Sequence, residues 1–196
     1  MLCVILLLGF LVKRSFKPGG TISKLLGLSR YSVLQVGSWL FVHGGISSLI
    51  AKKYKLEDIN THIRNWLLNN NINHEAIDEL YHNDDDSQSP FWSRTYSDIS
   101  EYDNSCAIEF ERTIKILNAV NDPKNIPIRG MIVGHSPQFM YNKGINSECN
   151  NRLWRVDVGM SRAFGELNKK NNDYNNRKIQ ILLIENDSKF TIINSI

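Results

Sequence analysis

The chain has 196 residues, 42% of them hydrophobic, with Lys plus Arg at 23 against Asp plus Glu at 20 and a net charge of +3. That length and apolar content suffice for one sizeable buried core and do not call for two domains. The small, dispersed positive charge argues against a nucleic-acid surface, and no nucleic-acid partner is expected.

In chain order, Met1 to Val12 form an apolar segment interrupted only by Gly9 and followed by Lys13 and Arg14. Spanning a bilayer takes roughly 20 apolar residues, and a signal peptide would start positively charged and end in a small-residue cleavage site. A cytoplasmic protein is the expectation; membrane association through residues 1–12 is the weaker alternative, beside a buried strand or helix and a stretch of altered reading frame. Val33 to Val42 reads as two short strands broken at Gly37-Ser38, the second delivering Phe41-Val42-His43-Gly44-Gly45. Leu56, Ile59, Ile63, Trp66 and Leu67 recur at helical spacing and stop at Asn69-Asn70-Asn71; a further helix runs from His74 to His82.

His74, Asp78 and His82 share one face of that helix, but at 1.5 Å per residue the outer two lie about 12 Å apart and cannot meet on one ion. A solvated face is the better reading, and His62 carries no stronger signal. Asp84-Asp85-Asp86 with Ser87 to Pro90 reads as a solvated loop. Glu101 to Val120 has the apolar spacing of a helix through Cys106, Phe110, Ile114 and Leu117. Arg129 to Val133 reads as a buried strand leading into Gly134-His135-Ser136-Pro137-Gln138, and Leu153 to Val158 as another. Ile179 to Ile184 and Phe190 to Ile193 read as a hairpin; the Asn- and Lys-rich stretch Asn168 to Lys178 reads as an exposed connection. Three cysteines at irregular spacing, Cys3, Cys106 and Cys149, indicate neither a disulfide framework nor a zinc knuckle, which favours a reducing compartment.

His43 and His135 each stand where an apolar strand gives way to glycine. Ligands of open α/β sheets bind beyond the carboxyl ends of strands, and neutral imidazole is the commonest metal ligand. A single such histidine is more often a hydrogen-bonded core residue; two make metal binding worth weighing. Arg94, in Ser89-Pro90-Phe91-Trp92-Ser93-Arg94, offers a permanently charged fork that matches two phosphate oxygens, with a surface ion pair to the acidic run as the plain alternative.

With Leu153-Trp154-Arg155-Val156-Asp157-Val158-Gly159-Met160-Ser161-Arg162, these stretches form an ordered set. From about Arg14 to Ile196 the chain resembles the later half of metallophosphoesterases (calcineurin-like phosphoesterases), in the phosphoprotein phosphatase branch and closest to Shewanella-like phosphatases. The resemblance implies an α/β fold of mixed β-sheets with flanking helices in three or four layers, the C-terminal portion of the metallophosphoesterase sandwich. Residues 1–12 are then an apolar segment of uncertain role and residues 13–196 the C-terminal part of that domain.

The resemblance further implies hydrolysis of a phosphomonoester, on a phosphoprotein, at a two-metal site of Mn, Fe or Zn, with His43 and His135 as metal ligands and Arg94 facing the phosphate. Asp157 to Ser161 would close the central core. Three family motifs do not occur: Gly-Asp-x-His-Gly, Gly-Asp-x-x-Asp-Arg-Gly and Gly-Asn-His-Glu, which supply the other metal ligands and the proton-donating histidine. The expectation is therefore at most a partial divalent-metal site, no retained catalytic residue and no turnover by the isolated chain. A phosphorylated substrate and a chain supplying the missing half are the implied partners. The alternative is a non-catalytic remnant or binding subunit that keeps the fold.

Overall fold

The computed structural model describes residues 12–82, 88–100, 102, 104–121, 125–161 and 179–194. Most of the apolar segment 1–12, the acidic run, Glu101, Arg162 and the connection Asn168 to Lys178 lie outside the described residues. α1 (Thr21–Ser29) precedes the hairpin of β1 (Val33–Val36) and β2 (Trp39–Val42). α2 (Ser48–Lys53), α3 (Leu56–Leu68), α4 (His74–Leu80) and the short α5 (Thr95–Asp98) follow. A π-helical turn (Cys106–Phe110) runs into α6 (Glu111–Val120). Then come β3 (Gly130–Val133), a 3-10 turn (Gln138–Tyr141), β4 (Asn146–Glu148), β5 (Leu153–Arg155), β6 (Gln180–Glu185) and β7 (Lys189–Asn194).

Five strands form one mixed sheet in the order β1-β2-β3-β5-β4; β2, β3 and β5 are parallel, and the edge strands β1 and β4 run antiparallel to their neighbours. Side chains alternate across a pleated sheet, and here the two faces have different covers. Leu40, Val42, Met131, Val133 and Leu153 join the core made with α3, α4 and α6 through Ile59, Ile63, Leu80, Ile114 and Leu117. Trp39, Ile132 and Trp154 face the other way and meet Leu182, Ile184, Phe190 and Ile192 of the β6–β7 hairpin. Phe190 stacks on Trp154 at 4.7 Å between centroids and meets Trp39 edge-on at 4.6 Å. Burial on both faces explains why β2 and β3 read as unbroken apolar runs rather than alternating ones. The arrangement is an α/β fold in three layers: helices, mixed sheet, hairpin.

The hairpin is also tied by polar contacts. Asp187, in its turn, accepts from the Ser38 backbone N–H at 3.0 and 3.1 Å, and its carbonyl accepts from Trp39 Nε1 at 2.9 Å. The Ser38 hydroxyl and then its N–H hold the Asp187 carboxyl below its usual range. The hydroxyl makes no hydrogen bond among the described residues, so the N–H carries the link. Ile181, Leu183 and Ile193 on the outer face of the hairpin remain exposed.

The structure departs from the sequence expectations in several places. α1, α2, α5 and β4 have no counterpart among them, and the strand expected over Leu153 to Val158 ends at Arg155 because the chain there turns into the loop carrying Asp157. The helix expected from Glu101 opens as a π-helical turn at Cys106. That turn presents Glu109 to α2, where its carboxylate accepts from Ser48 N at 2.7 Å and Ser48 Oγ at 3.1 Å. Finally, Cys106 and Cys149 form a disulfide, contrary to the expectation of unpaired thiols. It joins the π-helical turn to the β4–β5 turn, a juxtaposition that spacing in sequence does not reveal.

No helix among the described residues is long and apolar enough to cross a membrane.

Two outcomes follow. Closing a loop of 43 residues constrains the unfolded chain, so reduction, or replacing both cysteines with serine, should cost about 2–4 kcal/mol. Urea denaturation with and without reductant reads this directly, and coincident midpoints would contradict it. Asp187→Ala should cost roughly 1 kcal/mol at neutral pH. Because folding depresses this carboxyl, its contribution is complete above the unfolded value near about 3.9 and is lost as pH falls through the lower folded value. The stability gap between wild type and variant should therefore close in strong acid.

Candidate functional site

Register places the site. Val42 pairs with Val133, and Val133 with Arg155, so the parallel strands β2, β3 and β5 end level with one another. Backbone bonds carry the alignment one residue further, with Gly134 N donating to His43 O and Val156 N to Val133 O, both at 2.9 Å. His43, His135 and Asp157 thus leave one sheet edge together.

His135 sits in the left-handed region with φ of 67°, a conformation that is uncommon for a residue with a Cβ. Its ring meets that of His43, with His135 Nδ1 and His43 Nε2 3.1 Å apart. Two nitrogens bound tetrahedrally to one zinc-like ion would lie about 3.3 Å apart, given metal–nitrogen bonds of about 2.0–2.1 Å. Two imidazole nitrogens this close must share a proton or a cation, since two bare lone pairs would repel. Burial, then the neighbouring His43 and Arg94, push the His135 pKa below its ordinary value, while a hydrogen bond with the Trp92 backbone and the charge of Asp157 oppose the shift. The ring is thereby biased toward the neutral form that ligates metals.

The turn behind His135 is held by buried groups. Gln138 N donates to Asp157 O at 2.7 Å, and Gln138 Nε2 to Ser136 O at 2.9 Å. Asp157 Oδ1 accepts from Gly159 N at 2.9 Å, which commits that oxygen to the loop. Ser136 Oγ, next in sequence to His135, is buried and makes no hydrogen bond among the described residues.

Arg94 comes from another element and its charge acts on His135. The segment that carries it is docked on the His-Gly-Gly loop. Gly44 N donates to Pro90 O at 2.7 Å, and Trp92 lays its ring 5.8 Å from that of His135. Tyr96, wholly buried, donates its hydroxyl to Ile46 O at 2.5 Å; burial raises its pKa, so it remains a donor. Gly45 has φ of 111°, and a Cβ there would fall on the Tyr96 ring. The glycine of this motif is thus required for packing as well as for backbone conformation.

The structure brings His43 and His135 together, with Arg94 close enough for its charge to act on His135. It does not add a third ligand: no group of three or more His, Cys, Asp or Glu able to hold a metal occurs among the described residues. His62 and His82 instead pack edge-on against Tyr54 and Trp66. Sequence reasoning missed Gln138 as a buttress and the buried Tyr96, whose signal was limited to its place after Arg94.

No family model matches the chain. An uncharacterized protein of Acanthamoeba polyphaga mimivirus is 35% identical over 198 residues, which cover 92% of this chain and 73% of that protein. The chain belongs to the family of that viral protein. Shewanella-like protein phosphatase 2 of Arabidopsis thaliana is 31% identical over 151 residues, 76% of this chain but 34% of the plant protein. The crystal structure of a cold-active protein-tyrosine phosphatase from a psychrophilic Shewanella superposes with a TM-score of 0.52 at 19% identity, over 85% of this chain and 43% of the bacterial one. The fold is therefore shared with that bacterial structure, and the chain spans less than half the length of either the plant protein or the bacterial one.

Gly45→Ala should destabilise the fold by about 2–4 kcal/mol, through a clash with Tyr96 and a strained φ. Thermal denaturation checks this, with Gly134→Ala as the contrast, since a Cβ there meets only ordinary contacts at 3.7 Å and beyond.

Proposed function

We propose that the crevice is part of a metallophosphoesterase site that takes a phosphomonoester borne by a protein. The 3.1 Å approach of His43 Nε2 to His135 Nδ1, with Arg94 beside them, carries this reading, and similarity to a plant phosphatase agrees with it. His43 and His135 hold a divalent ion such as Mn, Fe or Zn through those nitrogens. Arg94 grips two phosphate oxygens with its guanidinium fork, and Trp92 screens one side of the crevice from water. When bound, paired ions in such enzymes polarise the phosphoryl group and generate hydroxide from water.

The described residues supply two ligands where a catalytic zinc-type ion takes three, so no hydrolytic step is assigned to this chain alone. A phosphorylated protein substrate and a chain donating the remaining ligands are the partners this reading calls for.

Calorimetric titration with Zn and Mn should show one weak site in the wild type, weakened about tenfold or more in the His43→Ala/His135→Ala variant. Equal affinity in both proteins would remove the metal reading. With a chromogenic aryl phosphate and Mn, Zn, Mg or Fe, neither protein should turn over; metal-dependent hydrolysis well above the double variant would show a self-sufficient enzyme.

A further inference from the structure

Arg155, the last residue of β5, is only 4% exposed. Removing a guanidinium from water is costly, and a well-packed apolar side chain fills the same volume with less penalty, so its contacts must account for its placement. Nη1 donates to the Ser97 carbonyl at 2.5 Å, and Nη2 lies 2.8 Å from Glu148 Oε1 on β4. The Glu148 contact is an ion pair by distance alone, because neither Nη2 nor Nε finds an aligned acceptor among the described residues. The Ser97 bond is thus the directional one. Burial lowers the proton affinity of Arg155, yet a guanidinium remains charged under all ordinary conditions.

Ser97 belongs to α5, the single helical turn whose N-cap is Arg94, and Ser97 N donates back to Arg94 O at 2.9 Å. A second tie holds the far end of the turn, from the Tyr141 hydroxyl to Asp98 Oδ1 at 2.9 Å. Resting on the reading of Arg94 as a phosphate ligand, the geometry points to Arg155 as a positioning residue: it ties α5, and Arg94 with it, to the strand end level with His135. The register Val133↔Arg155 sets this tie level with the end of β3, two residues before His135, and adds it to the Gly44–Pro90 and Trp92–His135 contacts. A fork is needed because Ser97 and Glu148 are engaged at once; a lysine presents one compact charge and serves one of them.

The test uses the full chain and sodium tungstate, an oxyanion of phosphate-like shape, with affinity by calorimetry and amide hydrogen exchange by NMR. Arg155→Met should weaken tungstate binding about tenfold or more, since modest misplacement of a positioned group has large effects. It should also speed exchange at Ser97 and Asp98 while leaving β2 and β3 amides protected. Arg155→Lys, the variant more certain to fold, should fall between, and Arg155→Met should cost no further affinity in an Arg94→Ala background. Leu117→Ala, a core truncation away from this segment, should leave tungstate affinity unchanged.

Wild-type affinity in Arg155→Met, a loss fully additive with Arg94→Ala, or unaltered exchange at Ser97 in both Arg155 variants would each overturn the assignment. Should the wild type fail to bind tungstate, the phosphate reading of Arg94 falls, and exchange at Ser97 alone decides whether Arg155 positions the turn.

Discussion

The level parallel register of β2, β3 and β5 is the constraint on which the site depends. Parallel strands point their carboxyl ends the same way, and pairing Val42 with Val133 and Val133 with Arg155 leaves no stagger between them. A slip of one residue in β3 would turn His135 to the opposite face and carry Met131 and Val133 out of the helical core to the hairpin side. The apolar packing on both faces thus fixes the position of the imidazoles as firmly as it fixes the core.

Both faces must be covered for that register to hold, and they are covered by different means. The helical face is sealed by a contiguous aliphatic core, with the disulfide and the Glu109–Ser48 bonds pinning the π-helical turn at its margin. The other face relies on a two-stranded hairpin, and an isolated hairpin is marginal in water. Its stability is borrowed from the sheet through Phe190 between Trp39 and Trp154, and from Asp187 at the β1–β2 turn. The hairpin is therefore part of what holds β2 in place, although it lies on the face away from the helices.

Much of this was legible in the sequence because apolar runs ending in glycine carry both strand and ligand signals. The two histidine-bearing strands, the helix ending at the Asn cluster and the final hairpin follow from periodicity and turn residues. Asn69 indeed closes its helix in the left-handed conformation, with φ of 56°. Features that depend on pairing between distant segments were not legible. Cys106 and Cys149 meet only because β4 folds back on β5, a strand of three residues too polar to show a pattern. Arg155 reads like any charged residue in a motif, and its burial emerges only from the packing of α5 and β4 upon it.

The left-handed backbone of His135 bears on what an ion would find. A non-glycine residue held there stores strain of order 1 kcal/mol or more and persists only when its surroundings over-determine it. Here they do: Gly134 is bonded to His43, Gln138 spans Ser136 and Asp157, and Trp92 contacts the ring. The histidine pair is thus held in place by the contacts of its own loops. On the metal reading proposed above, an ion would displace the proton shared between the two nitrogens with no loop to rebuild. On that reading, a further carboxylate or imidazole at the crevice mouth would complete the coordination that the two described imidazoles begin.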